Sequence, residues 1–325
     1  MKPVSLNQAM NEFALIQTYF NQQRTGQASS TTVYGIGDDA AIVQPPVGKQ
    51  LVITSDTLVA GRHFPLDTHP HAIGWKAAAV NLSDIAAMGA TPYAMLMAIS
   101  LPDVNAAWLE QFSCGFFDCC APENVQLIGG DTTKSSVLSI TVTALGWVDQ
   151  GAAIRRNGAQ VDDLIVVSNT LGNAAYALKN PASDVQHSLD YPQPQNKLGM
   201  ALAGYASSML DISDGLAQDL GHILTASHVG AEVYLEQLPL SATLQQLPAA
   251  QAWQLALTGG DDYELCFTIA PAQFDKFQAH QAIDQSAPLF KLQVIGKITR
   301  GTALQLFNQG TAFTMTHLQG YQHFD

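Results

Sequence analysis

The sequence predicts a mixed α/β protein of two domains, and three observations carry that prediction. The chain has 325 residues, longer than one hydrophobic core comfortably supports. Hydrophobic residues make up 47% of it, enough for two cores and too many for a disordered chain. Short β-patterned runs also interleave with helical ones along the whole length, which argues for α+β or mixed-sheet α/β domains.

Taken in order, Leu6, Phe13, Ile16 and Phe20 give residues 5–23 a helical period, followed by a polar linker to Ser30. Strands are expected at 40–43 and 51–55. A helix should start near His71, with Pro70 in its first turn, and stop at Gly89. Residues 93–100 read as strand, 105–120 as helix, and 125–128 and 137–148 as strands. The turn signals Asp149-Gln150-Gly151 and Arg156-Asn157-Gly158 set a boundary near residue 150, giving domains 1–150 and 151–325. Beyond it, strands are expected at 164–167, 232–235, 265–269 and 292–298, and helices at 216–227 and 271–281. Residues 180–195, with Pro181, Pro192 and Pro194, read as a surface loop.

Charged residues are only 13% of the chain, and 14 Lys and Arg stand against 27 Asp and Glu, a net charge of −13. Of the acidic residues, 21 are Asp and six Glu, and Asp favours caps and turns over helix interiors. No stretch concentrates basic charge, which argues against nucleic-acid or anionic-membrane partners. A phosphate ligand of such a protein needs metal cations. The first residues lack the apolar core of a signal peptide. An uncharged run of 18 residues, from Ile85 to Pro102, is broken by Gly89-Ala90-Thr91-Pro92 and reads as a helix end followed by a buried strand. Cys114, Cys119, Cys120 and Cys266 match no zinc or redox spacing and read as reduced core residues. A soluble, cytoplasmic protein is the expectation.

The chemistry lies in six short Asp clusters flanked by Gly, Ser or Thr. They are Gly35-Ile36-Gly37-Asp38-Asp39, Thr54-Ser55-Asp56-Thr57, Asn81-Leu82-Ser83-Asp84, Gly129-Gly130-Asp131-Thr132-Thr133, Asp211-Ile212-Ser213-Asp214-Gly215 and Gly259-Gly260-Asp261-Asp262. Glycine lets the backbone approach a ligand, while carboxylate and hydroxyl oxygens suit a hard cation such as Mg²⁺. Any one cluster is equally an Asp-Gly turn; six in a chain this poor in charge favour a site. Apart from Lys76, Asp84 is the only charged residue in the 71–88 helix. Near the carboxyl end it opposes the helix dipole at a cost of roughly 0.3–1 kcal/mol, which a bound cation would offset. Asp211 and Asp214 straddle the start of the 216–227 helix, where free N–H groups attract phosphate and where capping is the plainer role.

Other patterns carry less. Gly35-Ile36-Gly37-Asp38-Asp39-Ala40 fits the dinucleotide fingerprint, but its two carboxylates would repel a pyrophosphate and no long helix follows. Gly48-Lys49 lacks the flanking residues of a P-loop and reads as a turn. Pro65 and Pro70 break any regular face that His63, His69 and His71 would need to hold zinc. The Arg155-Arg156 pair is either solvated surface or a bidentate phosphate contact.

With these residues the chain resembles the thiamine-monophosphate kinase family, in the wider group that includes aminoimidazole ribonucleotide synthetase and selenophosphate synthetase. The matching stretches are residues 35–40, 55–64, 80–90, 128–133, 211–216, 259–265 and 320–324, in family order. Asp131 stands where selenophosphate synthetase has His. The resemblance implies Mg²⁺-dependent transfer of the ATP γ-phosphoryl group to thiamine monophosphate, giving thiamine diphosphate and ADP. It implies an N-terminal ATP- and metal-binding domain whose sheet forms a β-barrel in a homodimer, and a C-terminal domain completing the cleft. Asp39, Thr54, Ser55, Asp56, Asp84, Asp131, Asp211 and Asp214 are implied ligands of several Mg²⁺ ions. Gly130, Asp131, Arg156 and Ser213 are implied nucleotide contacts, and His63, Asp261 and Tyr321 contacts to thiamine monophosphate. Asp261 stands where the family commonly has Glu, and residues 191–197 lack the family's usual arginines. A phosphate acceptor is already ionised, so no general acid or base is expected, nor any phosphorylated residue. The alternatives are a related ATP-dependent synthetase and a non-enzymatic Ca²⁺-binding module.

Overall fold

The computed structural model describes residues 12–21, 32–283, 290–315, 318, 320 and 321. The expected helix at 5–23 falls partly outside these, and the linker to Ser30 and residues 322–324 of the last motif do so almost or wholly. The chain divides into two compact units. One comprises Met1–Val47, Ile53–Asn81 and Tyr93–Leu145, the other Gly48–Val52, Leu82–Pro92 and Gly146–Asp325.

In chain order the first half contains α1 (Glu12–Leu15), running on into a π-helical turn at Ile16–Phe20, then β1 (Thr32–Tyr34) paired antiparallel with β2 (Ile42–Val43). There follow β3 (Lys49–Val59), α2 (Pro70–Ala87), β4 (Thr91–Leu101), α3 (Ala106–Cys120), β5 (Gln126–Lys134) and β6 (Ser139–Asp149). The larger sheet has the order β3-β6-β4-β5, with β4 and β5 parallel. Along β4, buried Met95, Met97 and Ile99 alternate with exposed Leu96 and Ala98, so one face is covered and the other is open. Among the described residues the sheet does not close on itself; the barrel that the resemblance implies is one that two chains would make together.

Asn105 caps α3, its side chain accepting from the Trp108 N–H. Two glycines let α2 and α3 touch backbone to backbone. A Cβ on Gly74 would lie 2.0 Å from the Phe112 carbonyl oxygen, and one on Gly115 1.9 Å from that of His71. From Ala77 to Ala87, every residue of α2 except Asp84 is buried, as befits an Ala-rich helix with no polar face.

The second half contains β7 (Leu164–Ser168), α4 (Asn173–Lys179), α5 (Gln186–Asp190), α6 (Asn196–Ala201), β8 (Ser208–Ile212) and α7 (Leu216–Ser227). After these come β9 (Gly230–Tyr234), α8 (Ala242–Gln245), α9 (Ala249–Thr258), β10 (Glu264–Ile269), α10 (Pro271–Ile283), β11 (Leu292–Thr299), β12 (Leu304–Asn308) and β13 (Thr311–Phe313). Their sheet runs β13-β12-β9-β11-β7-β10-β8, antiparallel except for the β12–β9 pair. Both faces are buried, which is why its central strands read as unbroken apolar runs. Ile165, Val167, Leu210 and Ile212 pack with Leu216, Leu220, Ile223 and Leu224 of α7. Val166, Met209, Leu265 and Phe267 face Leu198 of α6 and Phe274 and Phe277 of α10.

Three expectations need correction. The proline-bearing segment 180–195 is not all loop: α5 forms there because Val185 and Leu189 pack on Ala174 and Ala177 of α4. The Thr54–Thr57 and Gly129–Thr133 clusters lie inside β3 and β5, where sheet pairing overrides the turn preferences of Gly and Asp. The short elements α4, α6, β8, α8, α9, β12 and β13 were not expected at all. Among the described residues, no helix is long and apolar enough to cross a membrane. All four cysteines are free, Cys114 half-buried and the others buried.

Candidate functional site

In the second unit, three motifs far apart in sequence meet on the turn Ser213-Asp214-Gly215 between β8 and α7. The Asp261 N–H donates to the Ser213 carbonyl at 2.9 Å, and the Tyr263 N–H to that of Ile212 at 2.8 Å. The Tyr321 N–H donates to the Asp214 carbonyl at 3.1 Å. Gln218 bridges the last pair, donating to Asp214 Oδ2 at 3.0 Å and to the Tyr321 carbonyl at 3.2 Å. Only a residue without a side chain fits before Tyr321, because a Cβ on Gly320 would lie 2.3 Å from the Asp214 carbonyl oxygen. Asp261 and Tyr263 have φ of +66° and +50°, uncommon for residues other than glycine, and the Tyr263 hydroxyl donates to Asp261 Oδ1 at 3.0 Å. Beside this junction, buried Asp211 accepts from the Ser83 hydroxyl at 2.7 Å.

Three carboxylates support these loops, Asp219 and Glu264 buried and Asp262 half-buried. Asp219 Oδ2 accepts the N–H groups of Ser213, Asp214 and Gly215 at 3.1, 3.0 and 3.0 Å. Those amides, which the sequence offered to a phosphate, face this carboxylate instead. Burial pushes the Asp219 carboxyl up to about 7, against the pull of its amide bonds. Both oxygens of Asp262 accept from the Gly172 N–H, and burial raises this carboxyl well above its usual range. Glu264 accepts from the Ser168 hydroxyl and from Asn169 Nδ2; burial outweighs both bonds and lifts it to about 8. Asp219 and Glu264 escaped the sequence reading. For Asp219 there was a signal: it is the acidic residue of the first turn of α7, just beyond capping-box spacing.

In the first unit, the 35–41 loop and residues 127–132 line a cavity of about 810 Å³, together with Phe20, Leu96 and Met97. Asp39, Gly130 and Asp131 are all on its wall. Gly130 is required there: its φ is +148°, and a Cβ would lie 1.9 Å from the Met97 carbonyl oxygen. On β3, the Ser55 hydroxyl donates to the Val142 carbonyl at 3.2 Å and lies 3.0 Å from Thr143 Oγ1. The Asp56 N–H donates to Asn81 Oδ1 at 3.1 Å, and Asn81 Nδ2 donates to the Ala77 carbonyl. Thr54 and Asp84 are half-buried. Because β3 and β5 are the two outer strands of their sheet, pairing does not set Asp56 beside Asp131.

His63 Nδ1 accepts the Val59 N–H at 3.0 Å, which leaves the proton of the neutral ring on Nε2. No zinc site joins the histidines: His69 Nδ1 takes the His71 N–H, and His71 Nε2 meets Asp118. Arg156 is exposed at the head of a short 3₁₀ turn, its carbonyl accepting from the Ser227 hydroxyl. Lys49 pairs with Asp149 at 2.8 Å; the expected turn ends at Gly48, and Lys49 is already the first residue of β3. Among the described residues, no three His, Cys, Asp or Glu side chains form a ready-made metal cluster. The donor set is hard oxygen throughout, spread over several loops and strands. That suits Mg²⁺, which takes one or two carboxylates, keeps waters and completes its shell with phosphate oxygens.

Comparison with known proteins identifies the family. The model of AIR synthase related protein, N-terminal domain, matches residues 37–148, and that of its C-terminal domain residues 161–307. The thiamine-monophosphate kinase of Haemophilus influenzae is 42% identical, covering 97% of this chain and 98% of its own length. The crystal structure of thiamine-monophosphate kinase from Stenotrophomonas maltophilia K279a is 43% identical with a TM-score of 0.79, covering 87% of this chain and 93% of that one. AaThiL complexed with AMPPCP and TMP is 28% identical with a TM-score of 0.73, covering 86% and 89%. Similarity of this extent across both units leaves one assignment: the chain belongs to the thiamine-monophosphate kinase family.

Proposed function

We propose that this chain transfers the γ-phosphoryl group of ATP to thiamine monophosphate, yielding thiamine diphosphate and ADP. Family membership supports the reading, as does the likeness to a protein captured with AMPPCP and TMP. Within the chain, the observation that carries it is the backbone junction at Ser213–Gly215. There Ser213, Asp214, Asp261 and Tyr321 are held relative to one another by main-chain bonds, independent of any rotamer. Such fixed geometry is what a reaction driven by alignment needs.

In this reading Gly130, Asp131, Arg156 and Ser213 contact the nucleotide, and His63, Asp261 and Tyr321 contact thiamine monophosphate. Asp39, Thr54, Ser55, Asp56, Asp84, Asp131, Asp211 and Asp214 hold Mg²⁺, some through water. Bound Mg²⁺ neutralises charge on the two substrates' phosphates. The acceptor phosphate carries about −1.5 to −2 charges near neutrality, so no residue has to remove a proton from it. His63 offers its Nε2–H as a donor, and Arg156 adds a guanidinium that can grip a phosphate bidentately. Transfer passes in line between the substrates, without a phosphorylated residue. Residues 1–150 supply most metal contacts and share the nucleotide contacts equally with residues 151–325, which supply most substrate contacts. A second copy of the chain covers the exposed apolar residues Val33, Ile42, Ile53, Leu96 and Val137 of the first unit, making a homodimer. Four free cysteines support a cytoplasmic location.

The test is stoichiometric. With thiamine monophosphate, ATP and Mg²⁺, ADP and thiamine diphosphate should form in equal amounts with no free phosphate. Release of orthophosphate in place of thiamine diphosphate would instead support the related synthetase.

A further inference from the structure

We infer that Asp219 is a positioning residue for phosphoryl transfer, its carboxylate clamping the turn that presents Ser213 and Asp214. The inference deepens the kinase reading above and rests on it. Three successive N–H groups, of Ser213, Asp214 and Gly215, converge on one oxygen, Oδ2, of a side chain that is 4% exposed. Bonds to three consecutive amides fix the peptide planes of the turn, and with them the directions in which Ser213 and Asp214 project. The carbonyls of the same residues are engaged too, by the N–H groups of Asp261, Tyr321 and Asp219 itself. Loss of the clamp therefore frees the support on which the Asp261 and Tyr321 loops also rest.

Since a single oxygen makes all three bonds, the clamp depends on an acceptor at that point and not on charge. Asparagine supplies such an oxygen; alanine does not. The experiment compares the full-length wild type with Asp219→Asn and Asp219→Ala by two readouts. One is amide hydrogen exchange of the peptide spanning residues 211–219, which needs no ligand. The other is the Mg²⁺ concentration for half-maximal turnover with ATP and thiamine monophosphate.

Asp219→Ala should speed exchange of this peptide about tenfold or more and raise the Mg²⁺ requirement about tenfold, while Asp219→Asn stays within about threefold on both. An Asp219→Ala enzyme that exchanges and turns over like the wild type overturns the inference. So does an Asp219→Asn enzyme as impaired as the alanine variant. If the alanine variant does not fold, Asp219→Asn decides alone, a change beyond about threefold in either readout counting against the clamp. Absence of thiamine diphosphate from the wild-type reaction defeats the kinase reading, whereas the exchange result stands apart from it.

Discussion

Ser83 and Asp211 are joined by a 2.7 Å hydrogen bond, hydroxyl to Oδ2, between two buried side chains. Two residues earlier on the same helix, Asn81 holds the backbone of Asp56. One short stretch of α2 thus supports two of the acidic clusters, which gives a physical reason for polar residues in an otherwise apolar buried helix. A buried carboxylate that loses a donor bears part of its desolvation cost uncompensated. Ser83→Ala should therefore lower unfolding free energy by about 1–3 kcal/mol, read from urea denaturation. An unchanged midpoint would mean the bond contributes nothing.

The glycine contacts between α2 and α3 make a second prediction. Gly115→Ala places a methyl group where the His71 carbonyl oxygen lies, 1.9 Å away, and should destabilise by about 1–3 kcal/mol as the helices part. Gly221→Ala is the control, since it meets nothing within 4 Å on α7. It should be neutral or stabilising by about 0.4–1 kcal/mol. Thermal denaturation of the pair would show whether close approach, and not helix propensity, decides at Gly115.

Stability should also depend on pH through Glu264. Burial lifts its carboxyl from 4.5 to about 8, so between those values the folded chain holds a proton that the unfolded chain has released. Raising pH through this interval costs stability, and Asp262, also shifted upward, acts with the same sign. Glu264→Gln removes one source of the slope while keeping oxygen for Ser168 and Asn169. Urea midpoints between about pH 5 and 8 should fall less steeply in the variant. Parallel slopes would assign the pH dependence elsewhere.

Local chemistry made much of the fold legible. Pro70 and Gly89 bracketed α2 because helix starts and stops are written in neighbouring residues. Residues 216–227 showed the apolar period of α7, whose bounds the structure reproduces. By contrast, α5 was hidden among prolines, since its stability comes from burying Leu189 on α4, a contact no local pattern reveals. The residues of the junction, Asp211, Ser213, Asp214, Asp261 and Tyr321, were visible as motifs. The resemblance implied a shared cleft, but not the way these loops meet, because that is made by main-chain bonds between segments far apart in the sequence. Asp219 and Glu264 were passed over although Asp219 sits in the first turn of α7 and Glu264 in the 259–265 stretch, because their amide and hydroxyl partners come from the folded chain.

The proposed function has acidic residues from both halves of the sequence acting on one Mg²⁺–nucleotide group. Its most direct test is the turnover of Asp56→Asn, Asp214→Asn and the double variant across a Mg²⁺ titration, with folding checked by circular dichroism. Carboxylates acting as a unit are strongly non-additive, so each single variant should lose most of kcat and the double variant little more. Either single variant turning over at the wild-type rate under saturating Mg²⁺ would contradict the account, as would losses that simply multiply.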